Sequence, residues 1–66
     1  MSKQSIGKQI KDRRKVLKVR QQDLAEISEV ALRTVISTER GEGNPSLETL
    51  LKLAEALGMD LQLNVK

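Results

Sequence analysis

The 66-residue chain has no cysteine, no histidine and no Phe, Tyr or Trp. Without thiols it forms no disulfides and no thiolate metal sites, and without imidazole it lacks the commonest general base and metal ligand. The usual pairings of an activated nucleophile with its base cannot be assembled from what remains. Carboxylates are present, but no close acidic cluster marks a Mg²⁺ or Ca²⁺ site, so neither catalysis nor a cofactor is expected. The missing aromatics bear on nucleic acids. Domains that grip single strands stack bases on aromatic rings, so a nucleic-acid partner here would be a duplex. Apolar runs never exceed three residues, far short of the ~20 that span a membrane. No signal-peptide core is visible, and a cytoplasmic protein is expected.

What is present is unevenly distributed charge. The net charge is +3. Residues 1–20 hold eight basic residues (Lys3, Lys8, Lys11, Arg13, Arg14, Lys15, Lys18 and Arg20) against Asp12 alone, or +7, which leaves −4 for the rest. A basic end on a small domain suits a polyanion partner; a solvated helix face is the alternative.

Apolar spacing divides the chain into helical segments. Residues 5–17 place Ile6, Ile10 and Leu17 on one stripe. Gln21–Ile27 form a short second helix burying Leu24 and Ala25, and Ala31–Arg40 form a third. Gly41-Glu42-Gly43-Asn44-Pro45 is the clearest break. Ser46 then caps a fourth helix with Leu47, Leu50, Leu51, Ala54 and Leu57 on one face, ended by Gly58. In residues 59–66 the period changes. Leu61, Leu63 and Val65 alternate with polar residues as in a strand. A lone strand leaves its backbone groups unpaired, so the expectation is a two-stranded ribbon shared by two subunits, the alternative being a frayed tail.

Two short helices with a tight connection, on a basic all-helical domain, suggest a helix-turn-helix. On a helical wheel Val35, Glu39, Thr38 and Ala31 gather on one side of the third helix, and Leu32, Ile36, Arg40, Arg33 and Ser37 on the other. If Val35 and Ala31 face the core, Leu32 and Ile36 project outward beside Arg33 and Ser37. Such a set matches a major groove: Arg bonds guanine, Ser bonds several base edges, and aliphatic groups meet thymine methyls. Packing of Leu32 and Ile36 on another helix or a protein partner is the alternative.

In order along the chain, "RRK.L", "QQDLAE", "LRT" and "ERG.GNPSLETLLKLAEALG", followed by the leucine-alternating tail, resemble the XRE-type, lambda-repressor-like helix-turn-helix family over nearly the whole length. Within it they look most like the HipB-type antitoxin and small-regulator branch. The resemblance implies an all-α bundle of four to five helices (residues 1–58) and a short C-terminal β-strand (59–66), pairing across a homodimer through Leu61, Leu63 and Val65. It implies a cytoplasmic, prokaryotic regulator that represses transcription from an inverted-repeat operator in double-stranded DNA. Neutralisation of a HipA-like toxin kinase is the alternative role. Position by position, Gln21 matches a glutamine that holds a phosphate and supports the base-reading side chains. Leu32, Arg33 and Ser37 match base-contacting positions, with Ile36 between them. Arg14 and Glu39 match an ion pair joining the first helix to the third, and Gly43-Asn44 matches a backbone phosphate contact. Arg14 and Arg20 are also expected to meet phosphates. Four residues depart from the family pattern. Lys18 and Glu29 stand where glycine is customary, and Arg20 and Ala31 replace capping Ser or Thr.

Overall fold

The computed structural model describes residues 2–65. Among them are four helices: α1 (Lys3–Val16), α2 (Gln21–Ser28), α3 (Leu32–Glu39) and α4 (Leu47–Ala56). α1 starts two residues earlier than its apolar spacing predicts because Ser2 caps it. Ser2 Oγ accepts from the Ser5 N–H at 3.1 Å, and Ser5 Oγ accepts from the Ser2 N–H at 3.0 Å, so orphan donors are satisfied at both ends of the box. Ser46 caps α4 as expected, accepting from the Thr49 N–H at 3.0 Å. α2 and α3 have only eight residues each, too few to be stable alone. Packing holds them.

All four helices end alike. Lys18, Glu29, Gly41 and Gly58 take left-handed φ values of 57°, 59°, 74° and 67°. The next residue then donates back five positions: Val19 to Arg14, Val30 to Ala25, Glu42 to Ser37 and Met59 to Ala54, at 2.8–3.1 Å. This closure satisfies carbonyls that a helix end leaves free. Glycine adopts the conformation without strain; a lysine or glutamate there costs roughly 1–2 kcal/mol.

The core joins Ile10 of α1, Leu24 and Ala25 of α2, Val30 of the turn, Val35 of α3, and Leu53 and Leu57 of α4 and its cap. Each large side chain so buried contributes about 1.5–3 kcal/mol relative to exposure. The expected stripe on α4 needs correction: Leu47 and Leu51 are exposed, and the fully buried residue is Leu53. α4 carries leucine at so many positions that two overlapping stripes are available. Packing selects Leu50, Leu53, Ala54 and Leu57, the i, i+3, i+4, i+7 set. Leu17 is likewise exposed, because it caps α1, and Arg14 takes the interior position one turn earlier. Ala31 is exposed outside α3 as its cap, not in the core.

No strand forms among the described residues. Residues 59–65 have no regular structure, Leu61 is half-buried, and Leu63 and Val65 are fully exposed; Lys66 lies outside the described residues. A strand exists only through pairing, and a single chain offers this segment no partner.

Candidate nucleic-acid interface

Apart from Ala31, α3 is oriented as its wheel predicts. Val35, Thr38 and Glu39 are buried, Arg33 and Arg40 are exposed, and Ile36 and Ser37 are half-buried. Leu32 is 42% exposed. Leu32, Arg33, Ile36 and Ser37 therefore share the outer side of a short helix. Arg33 makes no ion pair among the described residues, which leaves its five donors free for a base edge. Ser37 Oγ donates to the Thr34 carbonyl at 3.2 Å.

Beneath this side lies a buried polar knot. Arg14 donates through Nε and Nη2 to both carboxylate oxygens of Glu39, at 2.7 and 2.9 Å, and through Nη1 to the Val19 carbonyl at 2.9 Å. The fork-to-fork hydrogen bonding with Glu39 raises the Arg14 pKa above its ordinary value, against the opposing effect of burial. Gln21 joins the knot, its Nε2 donating to Glu39 Oε1 at 3.1 Å. A carboxylate only accepts, so the amide nitrogen must face Glu39 and the amide oxygen is left to point elsewhere. The first residue of α2 is thereby locked to the last residue of α3. The same geometry corrects the expectation that Arg14 meets phosphate: its guanidinium is committed, and the residue is 9% exposed.

Arg20 is exposed, but Asp23 holds its guanidinium at 3.0 and 3.2 Å and also accepts from its backbone N–H at 3.3 Å. The Arg20 side chain first, then its N–H, keeps the Asp23 carboxyl below its usual range. Asp23 thus makes one half of a capping box, accepting from the N–H of Arg20; the Arg20 side chain cannot make the other half, since a guanidinium has no acceptor. Ala31 gives α3 no side-chain cap either.

Gly43 and Asn44 are exposed in the loop before α4. Gly43 has φ 71°, and its carbonyl accepts from Lys3 Nζ at 2.8 Å. Neither backbone N–H of the pair donates to another described residue, so both are available to an anion.

Two features have no clear signal in the sequence. A Cβ on Gly7 would collide with the Thr38 carbonyl and lie 2.9 Å from that of Glu39, so α1 and α3 approach too closely for a side chain. Lys3 ties the start of α1 to the Gly43 loop across 40 residues. A mid-helix glycine and an N-terminal lysine look unremarkable until the fold brings their partners alongside.

Comparison with known proteins agrees with this geometry. The helix-turn-helix family model matches residues 10–64. A protein of Methanococcus maripaludis provisionally named an HTH-type transcriptional regulatory protein is 38% identical over 55 residues. A similarly named protein of Methanococcus vannielii is also 38% identical over 55 residues. Each alignment covers 83% of this chain, which spans only 17% of the length of either relative. Among solved structures, the restriction-modification controller protein C.AhdI from Aeromonas hydrophila superposes with a TM-score of 0.83 and 33% identity. That superposition covers 88% of each chain.

Proposed function

The chain belongs to the XRE-type helix-turn-helix family of transcriptional regulators, and on that premise we propose that it is a repressor that binds operator DNA as a homodimer. The observation that carries this reading is the outward side of α3, where Leu32, Arg33, Ile36 and Ser37 stand clear of the core formed behind them. In a major groove Arg33 pairs with a guanine, Ser37 reaches a base edge, and Leu32 and Ile36 meet thymine methyls. Gln21, held at the junction of α2 and α3, fixes the angle between them and turns its remaining amide groups to the backbone. Arg20 and the free N–H groups of Gly43 and Asn44 contact phosphates and set the register. Arg14 supports this array from inside.

Two copies place their α3 helices in successive major grooves, about 34–36 Å apart, on an inverted repeat. The dimer is completed by pairing of the tail through Leu61, Leu63 and Val65. The similar proteins reported above are named as regulators and a controller, which favours regulation over neutralising a toxin kinase. The test is selection of bound sequences from a random duplex pool, with wild type and Arg33→Ala in parallel. Wild type is expected to enrich one inverted repeat, with affinity falling steeply as salt rises. Arg33→Ala is expected to relax one position per half-site, with a loss of about 1–3 kcal/mol on the cognate site. Equal retention of all sequences, or of none, would overturn the reading.

A further inference from the structure

One flank of α1 carries Lys8, Lys11 and Lys15, and Lys18 follows in the turn to α2. Spacings of three and four residues stack the first three on one face. Their clustering is visible at Asp12. Lys8 Nζ donates to its carboxylate at 2.6 Å, and the charges of Lys15 and Lys11 also help hold it below its usual range. Lys8 is thereby occupied. Lys11, Lys15 and Lys18 are exposed and make no ion pair among the described residues.

The position of this flank gives it a direction. Gly7 and Arg14 lie against Thr38 and Glu39, and Gln4 lies against Gly41, so these three mark the side of α1 that faces α3. Ile6 lines the same cleft as Leu50, and Arg13 donates to the Leu57 carbonyl, which marks the side facing α4. At 100° per residue Lys11 lies about 40° and Lys15 about 80° from Gly7, whereas both are at least about 140° from Ile6. The lysines therefore border the side of α1 turned toward the reading unit. Lys18 extends the row to Arg20 and Gln21 at the start of α2.

Lys18 holds φ 57°, a backbone shape that glycine takes without strain and lysine does not. Strain kept at an exposed position suggests that the side chain contributes something there. Glu29, at φ 59°, shows that strain alone selects no site. Alignment with two further unpaired charges does.

We propose that Lys11, Lys15 and Lys18 form a second phosphate-binding edge, which grips the sugar-phosphate backbone of duplex DNA flanking the half-site read by α3. The proposal rests on the regulator reading above. From Lys11 to Lys18 the edge runs about 10 Å, at 1.5 Å per residue. It carries no base information, so it adds affinity and salt dependence without changing the preferred sequence.

The operator recovered from the pool is prepared as two duplexes, one ending at the inverted repeat and one extended by a helical turn (~10 base pairs) on each side. Binding of wild type and of a Lys11→Gln, Lys15→Gln, Lys18→Gly variant is followed against salt by fluorescence anisotropy. On the extended duplex the salt exponent of the variant should fall by roughly 0.9 per lost contact, about 5 for the three lysines of both copies, and the difference should vanish on the short duplex. Lys18→Gly relieves the strained turn, so the variant should melt no lower than wild type, and its weaker binding is then not unfolding. An unchanged exponent on the extended duplex overturns the proposal. So does an equal fall on both duplexes, which would make the lysines a diffuse field. A wild-type protein that selects no duplex overturns the regulator reading itself, before the variant is needed.

Discussion

At the scale of single residues, the outward side of α3 depends on side chains that are almost wholly buried. Arg14 and Glu39 are 11% and 2% exposed as side chains, and their pairing aligns α1, α2 and α3 at one point. Breaking such a pair costs more than the pair contributes, because one charge is left buried without a partner. Glu39→Gln is expected to lower stability by about 3–5 kcal/mol in urea denaturation. Arg14→Met with Glu39→Leu should recover most of that loss. A change below ~1 kcal/mol for Glu39→Gln would show that water already screens the pair.

At the scale of elements, the short α2 and α3 lack the usual hydroxyl caps, and α2 alone has a partial substitute. α2 relies on the Asp23 carboxylate, which is acceptor to the Arg20 N–H and partner to its guanidinium. Asp23 has a lowered pKa in the folded chain. Its stabilisation is therefore fully present above the ordinary aspartate value and lost as pH falls through the lowered folded one. Urea midpoints between pH about 5 and about 2.5 should decline for wild type, and less steeply for Asp23→Asn. Matching slopes would remove Asp23 as the working cap. The element ends were legible where glycine marks them, at Gly41 and Gly58. The same closure at Lys18 and Glu29 was legible only through the family pattern, because nothing in the chemistry of either side chain requires a left-handed backbone.

At the scale of the molecule, one copy measures 34 × 22 × 18 Å and leaves apolar side chains uncovered. Leu47 and Leu51 on α4 and Leu63 and Val65 in the tail are all exposed. A domain of this size buries only about 60% of its unfolded surface, and covering these residues with a second copy would raise that share. Leu63→Lys is expected to weaken the proposed dimer while leaving the helices formed. Sedimentation should show a smaller mass at equal concentration, with unchanged far-ultraviolet dichroism. A dimer of unaltered mass would exclude the shared strand.

The order of local signals was enough to place four helices, the Ser46 cap, the Gly41–Pro45 break and the outward side of α3, because apolar spacing and backbone-permissive residues act within a few positions of chain. The Arg14–Glu39 pair was legible through the family pattern. Other features required the tertiary fold. Choosing between the two leucine stripes of α4 and laying Gly7 against the α3 carbonyls each depend on neighbours far along the chain. In each case two arrangements are locally compatible, and only the packing of one element against another makes one of them lower in free energy.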